Sequence, residues 1–319
     1  MKLLYEETLD GISVRRCYGL DGIVQIPDRI DGKPVTGLEG YLFSETVRGR
    51  GVPPHEYEGE PELCGSQVKE LVLPRYAKRI GAYAFYNCSG LRKLSCQSTV
   101  DDWGAGVFTG CTGIASLDIC VREEGKSCFR EILSELRQTL DVDYRREDGT
   151  LLAKLVFPEY FEESVENTPA RIIMREMHGC GHMYRYCFDG TRFDVGEYDR
   201  LFPHVTVQEK PELVTRLALY RLYWPWGLKE EAAKAYQDYI AAHAGDAAEG
   251  ILKRGERDIL GLMARSGFMG RDGLGQMLDA ASRGGNAADA ALLMDIKHER
   301  FGHVPLRART FEIISRNSE

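Results

Sequence analysis

Leu71, Leu94 and Leu117 stand 23 residues apart, and the same step separates Phe85 from Phe108, Cys88 from Cys111, Gly90 from Gly113 and Leu91 from Ile114. A chain that returns the same kind of side chain after a fixed interval, in five registers at once, is built from copies of one supersecondary unit. The best-kept copy reads Val68-Lys-Glu-Leu-Val-Leu-Pro74, then Ile80-Gly81, Ala84-Phe85-Tyr86-Asn87-Cys88 and Gly90-Leu91. A short strand ending in Pro, a loop and a second apolar cluster have no means of burying their inner face alone. Stacking neighbouring copies buries it, so Val68 to Cys120 predicts a solenoid.

The repeat extends upstream in degenerate form. Ile23-Val-Gln-Ile26-Pro27, Val35-Thr-Gly-Leu38 and Tyr41-Leu42-Phe43 make an earlier turn with Asp31-Gly-Lys-Pro34 inserted in its loop. The third turn keeps Phe108 and Cys111 but carries Gln97 in place of Pro74 and Trp103-Gly104 in place of Ile80-Gly81, the drift expected of a terminal repeat. This pattern, Leu-x-Leu-Pro, Ile-Gly, Ala-Phe-x-x-Cys and Leu, resembles the BspA-like leucine-rich repeat family over residues 23–120. The resemblance implies a right-handed arc with short parallel strands on one face, used for protein contacts. It brings no catalytic residues.

Around this core the chain reads in order. Ile12-Ser-Val14, flanked by the Asp10-Gly11 and Asp21-Gly22 turn signals, predicts an N-terminal cap of one or two strands. Ser44 to Ser66, rich in Gly, Pro and charge, predicts a long surface loop. Phe129, Ile132, Leu133, Leu136 and Leu140 fall on one helical face, so a helix is expected to close the open end of the solenoid. Gly125-Lys126-Ser127 before it is half of a phosphate loop. Cys120 stands where the first Gly should, Glu123 and Glu124 oppose phosphate, and Ser127 as a helix cap explains the residues with less. Residues 141–160 predict a β-hairpin, a polar break follows at Glu162 to Thr168, and a short helix is expected from Pro169 with Ile172, Ile173 and Met177 inward.

That helix would run into His178-Gly179-Cys180-Gly181-His182, with Cys187 close behind. Two imidazoles and two thiols are the ligand types zinc prefers, so His178, Cys180, His182 and Cys187 are candidate metal ligands and the centre of an alternative reading as a zinc- or thiol-dependent enzyme or sensor. The plainer reading is a Gly-rich helix exit with core cysteines. Beyond Asp199-Arg-Leu-Phe-Pro203, read as a linker or last turn, helices are expected from Pro211 to the Trp224-Pro225-Trp226-Gly227 stop. Others follow over 229–244, 246–254, 256–266, 272–283 and 286–300, separated by glycines. Gly245-Asp-Ala-Ala-Glu249 and Gly285-Asn-Ala-Ala-Asp289 echo each other 40 residues apart, a weak likeness to ankyrin-like or HEAT-like stacks of helical pairs. The fold class is therefore multi-domain α+β, with repeats and caps over 1–140, a small linking module over 141–210, a helical domain over 211–304 and a tail over 305–319.

Composition narrows the function. A net charge of −8 argues against a nucleic-acid role, which needs a concentrated Lys/Arg surface, and no 18-residue apolar run suggests a membrane span. The N-terminus lacks the apolar core of a signal peptide and the nine cysteines are odd in number and scattered, so a cytoplasmic protein with reduced thiols is expected. The leading expectation is a non-catalytic scaffold without a cofactor, gripping an unidentified protein partner. Arg75, Tyr76, Tyr83, Tyr86 and Arg92 are its candidate contact residues, because tyrosine and arginine dominate interface energetics. A cell-surface adhesin, requiring a leader or anchor sequence, is a further alternative.

Overall fold

The computed structural model describes residues 1–46, 56–57, 59–122, 127–167 and 172–302. Its contacts divide the chain into two units, Met1–Gln237 and Asp238–Glu319.

The first unit is organised by the 23-residue step. In Lys93–Gln97 and Ser116–Val121 every second side chain is buried, Leu94 and Cys96 in one and Leu117, Ile119 and Val121 in the other. That alternation is what the pleat requires of a strand with one face inward. The strands are parallel and in register: Leu94 lies between Leu71 and Leu117, Leu71 lies beside Val24, and Leu117 beside Val142. Each of these fully buried aliphatic side chains contributes on the order of 1.5–3 kcal/mol relative to exposure. A second, narrower sheet runs along another side of the coil, in which Lys33–Leu38, Arg79–Ile80 and Asp102–Trp103 are parallel neighbours. A third ladder is made by the turns after it. Tyr41 N–H donates to Ala82 O, Phe43 N–H to Ala84 O, Tyr83 N–H to Ala105 O and Phe85 N–H to Val107 O. Inside it Phe43, Phe85 and Phe108 stack with ring centroids 6.0 and 5.6 Å apart. The equivalent cysteines follow the same rule, Cys88 Sγ reaching Phe43 O at 3.5 Å and Cys111 Sγ reaching Phe85 O at 3.0 Å.

Both ends of the solenoid are closed by antiparallel strands. Lys2–Thr8 pairs with Gly11–Tyr18, which continues the second sheet in parallel beside Lys33–Leu38. At the other end the predicted hairpin is present, and its first strand, Leu140–Arg146, continues the first sheet in parallel with Ser116–Val121 before Leu151–Phe157 turns back. The hairpin is thus continuous with the solenoid sheet. The helix expected to close this end spans only Phe129–Glu135; Leu136 is extended, and Leu140 opens the strand. All five predicted apolar positions are buried, but pairing with the waiting strand edge outweighs two more helical turns. Of the Ser44–Ser66 insertion, residues 47–55 and 58 lie outside the described residues. Its returning limb lies against the cap, with Leu63 N–H donating to Cys17 O and Arg16 Nε paired with Glu62 Oε1 at 2.8 Å. Gly125 and Lys126 also lie outside; the Ser127 hydroxyl accepts the Phe129 N–H at 3.3 Å.

Two local expectations are overturned. The helix from Pro169 is a strand, Ile172–His178, and the polar break before it is its antiparallel partner, Phe161–Asn167. Apolar positions at 172, 173 and 177 suit either period, and the alternation on the partner was hidden by its glutamates. The Asp199–Pro203 linker is helical as well: Val195–Arg200, capped by Asp194 accepting the Glu197 N–H at 2.9 Å, then Phe202–Gln208 with Pro203 in its first turn.

A buried polar node holds this part together. Asp199 accepts two hydrogen bonds from Arg221 at 2.8 and 2.9 Å and one from the Tyr236 hydroxyl at 2.7 Å, while Arg221 also donates to Trp224 O and Trp226 O. The Pro211–Tyr223 helix packs on Leu151–Phe157, and the Tyr198 hydroxyl both accepts from Val156 N–H and donates to Val156 O.

The second unit is a helical stack of Ala244–Arg254, Arg257–Arg265, Arg271–Arg283 and Ala287–Phe301. The first packs most closely on the third, and the fourth on both the third and the second. Gly255 and Gly285 take the left-handed conformation that ends or follows a helix, as their sequence positions imply. Gly245 does not separate helices; it lies inside Ala244–Arg254, tight against Gln276. Among the described residues no helix is long and apolar enough to cross a membrane.

Candidate functional site

The turns outside the phenylalanine ladder carry tyrosines. Tyr41 and Tyr83 stack with centroids 5.3 Å apart and planes 22° apart, and Tyr86 meets both edge-on at 6.5 and 5.7 Å. All three are partly exposed. Their backbone is unusual, since Tyr41 and Tyr83 both have φ of 57°, where a side chain costs on the order of 1–2 kcal/mol. The next coil shows the inexpensive solution: the equivalent residue is Gly106, φ 64°, and a Cβ there would meet the Tyr83 ring at 2.5 Å. Two coils thus hold tyrosines in a strained conformation and the third drops to glycine, leaving an aromatic ledge.

The candidate contact residues fall into separate places. Tyr83 and Tyr86 belong to the ledge. Arg75 and Tyr76 lie in the corner before the Arg79–Ile80 strand, where Arg75 N–H donates to Asp28 Oδ1 and the Arg29 guanidinium sits 4.8 Å over the Tyr76 ring. Arg92 bends back to donate to Ser89 O at 2.9 Å, and its guanidinium lies over Gly113. Lys69 makes the same bond to Ser66 O one coil earlier, which identifies Arg92 as part of a repeated staple. Tyr41 went unrecognised as a contact candidate, although aligning Tyr41-Leu42-Phe43 with Tyr83-Ala84-Phe85 reveals it.

The four candidate zinc ligands have different surroundings. His178 ends the Ile172–His178 strand, stacked 4.7 Å from Phe161, with Nε2 3.1 Å from Glu163 Oε2. His182 lies between Tyr160 and Tyr186. Cys180 and Cys187 are fully buried; the first reaches Glu209 Oε1 at 3.6 Å and the second Met183 O at 3.7 Å. Burial, then neighbouring carboxylates, pushes each thiol up to about 12, so both are held protonated at neutral pH. Among the described residues no group of three or more His, Cys, Asp and Glu is placed to hold a metal ion.

What that segment does contain is Arg185, 2% exposed, which no pattern in the sequence marks. It donates to Leu136 O, Gln138 O and Pro158 O, tying the end of the last coil to the closing strand, and its charge is answered by carbonyls and the Phe157 and Tyr160 rings. Burial lowers it to about 10. Beside it, a cleft of about 540 Å³ is lined by Asp141, Glu159, Glu209 and Glu212 with Lys210 and Arg216, in which Arg216 pairs with Asp141 at 3.1 Å.

Residues 62–139 match the BspA type leucine rich repeat region in six copies. The solenoid is a BspA-type leucine-rich repeat. Its repeats extend in the structure to the upstream turn at Ile23–Phe43, which stacks on the matched segment through Val24, Leu38 and Phe43. A solved leucine rich repeat protein of T. pallidum is 24% identical over 36% of this chain and 68% of its own, with a TM-score of 0.19. No curated protein gives a significant match.

Proposed function

We propose that this chain is a protein-interaction scaffold whose leucine-rich repeats present the Tyr41, Tyr83 and Tyr86 ledge to a partner. The observation that carries the reading is the retention of two tyrosines at left-handed positions where the following coil uses Gly106. Local strain of this kind is kept where the surrounding structure holds a group in place, and it favours function over packing. Stacked, partly exposed tyrosines lose little rotamer freedom on binding and bring both an apolar face and a hydroxyl. The repeat class supports the same conclusion, because its coils build extended surfaces. The helical stack of Asp238–Glu319 would supply a second such surface.

Capture from native lysate with the full chain and with a Tyr83→Ala/Tyr86→Ala variant tests this. A protein retained by the first and lost by the second, with unchanged thermal unfolding, supports the ledge. No enriched protein, or identical capture by both, overturns it.

A further inference from the structure

The Phe161–Asn167 and Ile172–His178 strands form a two-stranded ribbon that pairs with no other described strand. Such a ribbon is marginal alone, and its outer edges leave backbone donors and acceptors open. Its side chains deepen the problem. Phe161, Met174 and Met177 are exposed to 60, 49 and 44%. The register then places Phe161 opposite His178, Glu163 opposite Glu176 and Val165 opposite Met174 on one face. Like charges directly opposed across an antiparallel pair are destabilising. The other face treats its carboxylate differently, since Glu162 is paired with both Arg137 and Arg175 at 3.1 and 3.2 Å. On the first face the nearest basic group to the glutamate pair is the His178 imidazole, 3.1 Å from Glu163 and 4.0 Å from Glu176, and both carboxylates remain at least half exposed.

We infer that this face is a docking surface for an extended, basic segment of a partner protein, distinct from the tyrosine ledge. The spacing specifies the segment. Three cross-strand rows, aromatic, acidic and apolar, succeed one another every two residues, about 6.7 Å apart. A partner strand with the same period matches them by presenting apolar, Lys or Arg, and apolar side chains at alternate positions. The cation sits between Glu163 and Glu176, relieving their repulsion, while its flanking side chains cover Phe161 and Met174. An open ribbon edge beside the face permits main-chain hydrogen bonds to such a strand, the mode by which many sheets recognise extended peptides.

The probe is a capped nonapeptide, Thr-Thr-Val-Thr-Arg-Thr-Val-Thr-Thr, titrated into the full chain by fluorescence anisotropy. Two control peptides replace the Arg by Glu or both Val by Ser. The proposal expects the parent peptide to bind at least tenfold more tightly than either control. Glu163→Gln/Glu176→Gln, both exposed positions whose change removes repulsion and leaves the fold intact, is expected to weaken it at least tenfold. Tyr83→Ala/Tyr86→Ala is expected to leave it unchanged, so that failure here is separable from failure of the ledge. Equal binding of the serine control means charge attraction alone and overturns the surface. So does undiminished binding by the glutamine variant, loss of binding in the tyrosine variant, or no binding of the parent peptide at millimolar concentration.

Discussion

Phe85→Ala is the perturbation that most directly tests the stacked coils. Phe85 is fully buried with Phe43 on one side and Phe108 on the other. Truncating a buried Phe costs about 3–5 kcal/mol, the spread reflecting how far the site collapses. Here the backbone is pinned on both sides, by Phe43 N–H to Ala84 O and by Phe85 N–H to Val107 O, so the void has little freedom to close. Two aromatic contacts, each about 0.5–1.5 kcal/mol, are lost as well. The expected cost is therefore near the top of the range, about 4–5 kcal/mol, while Phe85→Leu costs about 1–2 kcal/mol. The readout is hydrogen exchange of the Leu94 and Leu117 amides, which reports opening of the solenoid without treating both units as one transition. At about tenfold per 1.4 kcal/mol, exchange in Phe85→Ala accelerates roughly a thousandfold. A double-mutant cycle with Phe108→Ala is expected to return a coupling of about 0.5–1.5 kcal/mol. A cost under about 1 kcal/mol, or strict additivity with Phe108, would refute the ladder as the source of stability.

Asp199→Asn strands the Arg221 charge and costs about 3–5 kcal/mol in urea unfolding, whereas Asp199→Leu with Arg221→Met recovers most of that loss; equal cost for both refutes the buried pair as the cause. Cys180 and Cys187, raised to about 12, carry roughly one thiolate in ten thousand at pH 8, so iodoacetamide is expected to label the partly exposed Cys64 and Cys120 well before them. Rapid labelling of either buried thiol, by mass spectrometry of the native protein, would revive thiol chemistry there. Burial raises Glu209 above the usual carboxylate value, so the folded state binds its proton more tightly than the unfolded state. That contribution is full below about pH 4.5 and is lost as pH rises through the folded value, and Glu209→Gln is expected to flatten this part of the stability profile; an unchanged slope refutes it.

The sequence by itself determined the solenoid, because a coil that buries its inner face only against copies of itself must repeat its apolar residues in register, and Leu71, Leu94, Leu117, Phe85 and Phe108 record that register directly. The same logic located the helices of the second unit, whose glycine stops and apolar faces are local signals. Only the tertiary structure decided the rest. The helix over Phe129 gives way after Glu135, and Ile172–His178 is a strand, because in each case a strand edge elsewhere competes with the local period. Whether His178, Cys180, His182 and Cys187 meet, and whether Tyr83 finds Tyr41 across an insertion, depends on where distant segments return. Spacing along the chain does not carry that information, since contacts between separated residues are set by packing, and packing is a property of the folded whole.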